Sequence, residues 1–257
     1  MGAPEEEARS GPDQEAPQAG DAPVGAPSSD VASSRRCPVC REPGLEPFCR
    51  VEGRLYHRCA RCEARLLDPR HHPTPEDELA HYRLHENDPE DAGYRRFLAR
   101  LAEPLLAKLR VPARGLDFGC GPGPALAHML REAGHSVALY DPFFAPDRRV
   151  LRPGAYDFVT CSETAEHFHR PAESFDRMGR LLRPGGWLAV MTCFQTDDAR
   201  FADWHYRRDP THTVFYRETT LRRLAAARGW HCEIPARDVA LLRKGLSSAM
   251  GRASPAG

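Results

Sequence analysis

Three groups of residues in this sequence have the types and spacing that chemistry needs. The first is a pair of cysteine knuckles, Cys37-Pro38-Val39-Cys40 and Cys59-Ala60-Arg61-Cys62, with 18 residues between them. Each CxxC turn offers two thiolates to one ion, and two turns at this separation can close a tetrahedral four-cysteine zinc site. The intervening length suits a small β-ribbon. His57 and Cys49 lie in that loop and can substitute as ligands, but they lack the knuckle spacing. Four thiolates leave no open coordination position, so the expected metal is structural. A second CxxC argues against a lone thioredoxin-like redox pair.

The second group is a glycine turn, Leu116-Asp117-Phe118-Gly119-Cys120-Gly121-Pro122-Gly123-Pro124. Glycine lets a ligand approach the main chain because no Cβ intervenes. A helix after the turn presents free N–H groups to that ligand. The pattern is GxGxG, and Pro124 stands where a dinucleotide fingerprint needs its last glycine, so pyrophosphate binding is disfavoured. Asp141 follows 18 residues after Gly123, where a carboxylate can accept both hydroxyls of a ribose. Asp117 either contacts the same ligand or holds the turn through backbone N–H groups.

The third group is the stretch Phe201–Tyr216, in which Trp204, His205, Tyr206, Asp209, His212 and Tyr216 crowd together with little apolar periodicity. His212 is the candidate general base, since a neutral imidazole accepts a proton near pH 7, and Asp209 is placed to orient it. The alternative is that His212 only hydrogen-bonds within its loop. Tyr206 is a third candidate for the reacting side. His167, beside Glu166, is a second candidate base, and His169 is expected to be exposed.

These groups need elements to position them. Thr74-Pro75-Glu76-Asp77 predicts a helix start, and Asp88-Pro89-Glu90-Asp91 repeats the pattern. Phe97, Leu101, Leu105 and Leu109 form a helical stripe, with Pro104 expected to kink it. Strands are predicted at 115–118, 136–140, weakly at 148–151, at 156–161 and at 187–192. Helices are predicted at 124–132, about 171–182 and 219–228, with a terminal hairpin around 230–234 and 238–242. The alternation predicts an α/β fold: a Rossmann-like, doubly wound, mostly parallel sheet with a terminal antiparallel hairpin, preceded by a small zinc-ribbon module. Cys120, Cys161 and Cys193 are expected near strand ends, where small buried side chains explain them.

With those residues in place, the sequence resembles the class I S-adenosylmethionine-dependent methyltransferases over about residues 82–243. LDFGCGPG at 116–123 is similar to their first motif and YDP at 140–142 to their second, with Asp141 as the ribose acid. YDFVTCSETAEHFHRP at 156–171 is similar to the E-x-x-E-H-x-x-x-P segment of the small-molecule branch, and LLRPGGWLAVMT at 181–192 to the segment entering strand five. The resemblance implies cofactor contacts at Asp117, Gly119, Cys120, Gly121, Gly123, Asp141, Pro142, Cys161 and Glu163. It also implies that the 201–216 stretch lies near the active site, and that Tyr82, His85, Asn87 and Tyr94 belong to a lid. Residues 37–69 resemble the zinc ribbon preceding some bacterial methyltransferases, including certain sugar C-methyltransferases.

The implied domains are a disordered tail at 1–34, a four-cysteine zinc ribbon at 35–70, a helical lid at 71–110, the methyltransferase domain at 111–243 and a loose tail at 244–257. The first segment has too little apolar surface to offset its ordering entropy. The chain carries 36 basic and 36 acidic residues, which disfavours a DNA-coating protein. That neutrality hides an acidic tail and a basic remainder, so an RNA- or protein-modifying enzyme using Arg50, Arg54, Arg58, Arg61 and Arg65 of the ribbon stays open. The favoured acceptor is a small molecule such as a sugar or secondary metabolite. A non-enzymatic zinc-dependent binding protein is the third reading, and the intact GxGxG with Asp141 speaks against it. No apolar run reaches the roughly 18 residues of a membrane span. Nine cysteines, an odd number, point to a reducing, cytoplasmic setting.

Overall fold

The computed structural model describes residues 35–84 and 88–246. The tail at 1–34, His85, Asn87 and residues 247–257 lie outside the described residues.

The glycine turn follows strand β4 (Arg114–Phe118), which sits inside a six-stranded sheet. Around it are β5 (Ser136–Tyr140), β6 (Tyr156–Ser162), β7 (Leu182–Met191), β9 (His231–Ala236) and β10 (Val239–Arg243). The strand order is β5-β4-β6-β7-β10-β9. The first four run parallel, and β10 pairs antiparallel with β7 and β9. Both faces are covered, as parallel sheets require. Val159, Leu188 and Val190 pack on one side with α4 (Pro171–Leu181) and α5 (Glu218–Ala226). Phe158, Ala189 and Met191 pack on the other with α2 (Ala92–Leu106) and α3 (Ala125–Glu132).

The helix before the sheet starts later than its sequence pattern suggested. Asp91, not Asp88, caps α2, its side chain accepting from Tyr94 N at 2.6 Å. Asp88 instead closes a turn, accepting from Glu90 N. Pro104 stands in the last turn of α2, and the helix runs past it to Leu106. The earlier helix, α1 (Pro75–Tyr82), has the expected Thr74–Asp77 capping box. Residues 148–150, expected as a weak strand, form a single 3-10 turn; two arginines and one valine offer no face to bury. The sheet therefore ends at β5.

The cysteine segment folds as β1 (Leu45–Val51), β2 (Arg54–Cys59) and β3 (Arg65–Leu67). It does not stand apart. A two-residue strand, β8 (Val214–Phe215), joins its open edge, giving the order β1-β2-β3-β8. Cys37, Val39, Cys59, Cys62 and Leu66 share a core with Phe175, Tyr216 and Leu221. Among the described residues, no helix is long and apolar enough to cross a membrane.

Candidate active site

A cavity of about 790 Å³ opens at the carboxyl ends of β4, β5 and β6, within the ordinary range for small-ligand sites. One wall is main chain. Gly119 and Gly121 adopt φ of 81° and 63°, and Gly119 N donates to Tyr140 O at 2.7 Å, tying the turn to β5. A Cβ on Gly119 would stand 2.2 Å from the Thr164 side chain, so no larger residue fits. Gly123 lines the wall, and no side chain caps the first turn of α3 behind it.

Asp141 ends β5 and is buried at the same wall. Its Oδ2 accepts from Gly121 N at 3.1 Å, and its Oδ1 from Phe143 N and Phe144 N at 2.8 and 3.1 Å. Three of its roughly four acceptor positions are filled, so the carboxylate both braces the glycine turn and keeps capacity toward the cavity. Asp117 has a different role from the backbone brace considered for it. Its Oδ1 accepts from Thr160 Oγ1 at 2.6 Å, and burial pushes its carboxyl up to about 6. Cys120 and Pro142 line the wall, and burial pushes the Cys120 thiol up to about 12. Cys161 does not line it. Along β6 neighbouring side chains alternate, and Cys161 faces the core while Ser162 faces the cavity.

The opposite wall is side chain. Glu163 sits just past β6 with φ of 44°, and burial, helped by Glu166, pushes its carboxyl up to about 9. Tyr206 donates to Glu163 Oε2 at 3.3 Å, and its hydroxyl also meets Thr192 Oγ1 at 3.1 Å. His212 Nδ1 donates to Tyr206 O at 2.7 Å. That bond fixes the tautomer and leaves Nε2 with its lone pair. Burial pushes His212 down to about 4, so it is neutral at physiological pH. The orienting group is thus the Tyr206 carbonyl. Asp209 stands 3.7 Å from His212 Nε2 and is engaged elsewhere, accepting from Thr211 N at 2.8 Å and from His81 Nε2 at 3.1 Å.

His167 Nδ1 donates to Thr211 O at 3.2 Å, and its ring lies 4.7 Å from that of His212. Glu166 is fully buried beneath both, and neither of its carboxylate oxygens has a hydrogen-bond partner. Glu166, His167 and His212 each bring a ligand-capable atom within 4.8 Å of the others. His169 is exposed as expected and reaches Glu78 Oε1 at 3.0 Å. Tyr82 and Tyr94 line the cavity, Tyr82 packing on Phe143 and His167.

Phe143, Phe144, Ser162, Thr164 and Glu78 also line the cavity and were missed by sequence reasoning. Phe143 and Phe144 follow Asp141 directly, and that adjacency was their available signal. Thr164 is recognisable only once Gly119 is seen against it.

The four predicted metal ligands converge. Cys37 and Cys62 sulfurs lie 3.7 Å apart, as do those of Cys40 and Cys59, and all four lie within 4.8 Å of one another. A tetrahedron with metal–sulfur bonds of ~2.3 Å has edges of about 3.8 Å, so the donor set fits such an ion. Val39 N donates to the Cys37 sulfur, and Arg61 N and Cys62 N to that of Cys59, bonds that favour thiolates. His57 and Cys49 are not in the cluster; His57 Nε2 pairs with Asp68 at 2.8 Å. All nine cysteines are free of disulfides.

A family profile described as a methyltransferase domain matches residues 85–233, more than half of the chain. The chain belongs to the methyltransferase-domain family. Among curated methyltransferases, a ubiquinone biosynthesis O-methyltransferase from Burkholderia thailandensis is 38% identical over 88 residues, 34% of this chain and 37% of that one. Its counterpart from Thiobacillus denitrificans is 41% identical over 63 residues, 24% of this chain and 27% of that one. The matched stretch thus spans about a third of these relatives or less. Among solved methyltransferase structures, the 1,6-didemethyltoxoflavin-N1-methyltransferase of Burkholderia thailandensis, with bound 1,6-didemethyltoxoflavin and S-adenosylhomocysteine, aligns over 78% of this chain and 99% of that one. The TM-score is 0.46 and the identity 19%.

Proposed function

We propose that this protein transfers a methyl group from S-adenosylmethionine to a small-molecule acceptor bearing an O–H or N–H group. The observation that carries this reading is the meeting of two unlike walls in one cavity: a glycine turn braced by Asp141, and a neutral His212 with a free Nε2. Gly119, Gly121, Gly123 and the first turn of α3 would hold the cofactor's polar end, and Asp141 its ribose. When bound, S-adenosylmethionine supplies an activated methyl on a sulfonium, and the transfer is an in-line displacement. The chain aligns the acceptor and takes its proton onto His212 Nε2 as the new bond to carbon forms. His167 is the second base within reach. Ubiquinone-biosynthesis relatives are named for O-methylation, the case in which a positioned base matters most. Sugars and other hydroxylated metabolites are the acceptors to test first.

A structural zinc ion in the Cys37–Cys40–Cys59–Cys62 cluster belongs to the same reading. Metal analysis of purified protein is expected to find about one zinc per chain. Of the five ribbon arginines, Arg65 is buried and Arg58 is paired with Glu46 at 2.7 Å, while Arg50 and Arg61 are exposed. The decisive experiment is calorimetry with S-adenosylhomocysteine. Binding that is weakened in Asp141→Ala supports the reading, and no binding to the wild type would sink it.

A further inference from the structure

The acceptor wall is a loop with almost no regular structure of its own. Between Asp198 and Thr213 it holds one four-residue 3-10 turn, His205–Arg208. Such a segment has no ladder to fix it and must be held from outside. Besides its bonds to Glu163, Glu166 and Thr192, it has anchors on the cysteine module at both ends and midway. At its downstream end, Leu67 N donates to Thr213 O at 2.9 Å, and Leu66 and Arg65 pair with Val214 and Phe215. Midway, buried Arg207 reaches Glu52 Oε2 at 3.2 Å, at the tip of the β1–β2 hairpin.

At the upstream end the anchor is Arg65. Its side chain is 2% exposed, which is rare for arginine and demands full pairing. Its Nη2 donates to Asp198 Oδ2 at 2.6 Å and its Nε to Oδ1 at 3.1 Å, while its guanidinium stacks 4.9 Å from the Phe48 ring centre. Asp198 also gathers Arg217 at 2.8 Å and Gln195 at 3.2 Å. Both ends of the loop therefore converge on β3, through its main chain at one end and its first side chain at the other.

We propose that Arg65 is a positioning residue of the acceptor wall, fixing through Asp198 the loop that carries Tyr206, Asp209 and His212. Among the described residues, no hydrogen bond or ion pair joins Arg65 or Asp198 to the glycine turn on β4, so loss of this anchor is expected to loosen one wall and not the other. The proposal rests on the methyltransferase reading for the meaning of "acceptor". Its test does not need the acceptor.

The experiment is hydrogen–deuterium exchange on the full chain bound to S-adenosylhomocysteine, with the ligand's affinity measured by calorimetry. Arg65→Met is expected to raise exchange in residues 198–213 at least tenfold. Exchange in the glycine turn and the affinity for S-adenosylhomocysteine should stay within threefold of wild type. Asp198, which is partly exposed, provides a second pair of variants should Arg65→Met fail to fold: Asp198→Asn is expected to loosen the loop, and Asp198→Glu to keep it slow. Unchanged exchange in 198–213 for both Arg65→Met and Asp198→Asn overturns the proposal. So does a rise spread equally over the sheet, which marks a merely structural pair. Failure of the wild type to bind S-adenosylhomocysteine overturns the functional reading instead.

Discussion

On the side of the cavity proposed for the cofactor, Gly119, Gly121 and the start of α3 present main chain; on the side proposed for the acceptor, Tyr206, Asp209 and His212 present side chains from a tethered loop. The first wall is fixed by the parallel sheet, because Gly119 bonds back to Tyr140 on the next strand. The second is fixed by long-range pairs between distant parts of the chain, such as Arg65 with Asp198 and Glu52 with Arg207. A main-chain wall recognises what it binds by shape and polarity and tolerates few changes of residue. A side-chain wall can change its partner by changing a few residues. On the proposed reading, the cavity joins a main-chain half for the cofactor to a side-chain half for the acceptor.

Substitutions can break the two halves separately. The largest effect is expected for His212→Gln, which keeps the hydrogen-bonding size but removes a basic nitrogen. Methyl transfer from labelled S-adenosylmethionine should fall by about 10²–10⁴-fold, while affinity for S-adenosylhomocysteine stays within threefold. Equal losses in both would erase the distinction between the walls. Next is Gly119→Ala. The new Cβ meets Thr164 at 2.2 Å from a left-handed φ, and binding of S-adenosylhomocysteine should weaken by roughly 100-fold. Pairing it with Thr164→Ala, which removes both the methyl at 2.2 Å and the hydroxyl at 2.5 Å, should restore part of the loss.

The pH response offers a third cut. Burial lowers His212 from its ordinary value to about 4, with Glu166 and Asp209 opposing and His167 assisting. Between pH 6.5 and 4 the unfolded chain binds the proton and the folded chain does not, so stability rises with pH across that window. The contribution of His212 is complete above about pH 6.5, and about 3 kcal/mol of it is lost below pH 4. Denaturant titrations at pH 7 and pH 4.5 should show a smaller drop for His212→Gln than for the wild type. The smallest effect is expected for Asp141→Asn, which gives up the charge and one of the two oxygens that accept from Gly121 N and from Phe143 N and Phe144 N. Affinity for S-adenosylhomocysteine should drop about tenfold, and an unchanged affinity would mean that Asp141 only braces the turn.

The same two walls were unequally legible in the sequence. The glycine turn, Asp141 and the parallel sheet follow from local patterns, because strand, turn and helix lie consecutively in the chain. The four cysteines were legible because CxxC spacing is itself a geometry. Cys161 was misplaced by a single position, since a strand turns adjacent residues to opposite faces and Ser162 took the cavity side. The strand expected at 148–151 asked a sheet to bury arginines. The orienting partner of His212 is a backbone carbonyl, which no sequence pattern reveals. Arg65 reads as a surface charge, because arginine is seldom buried and its partner Asp198 lies 133 residues away.

The pairing of β3 with β8 has a consequence for how the chain is made. The strand that completes the sheet of the cysteine module appears roughly 150 residues after the module itself. At synthesis rates of about 5–20 residues per second, the β3 edge stays unpaired for roughly 10–30 s after it emerges. A nascent chain therefore carries an open, apolar strand edge until β8 emerges. During that interval Leu66 and Leu67 still await Val214 and Thr213.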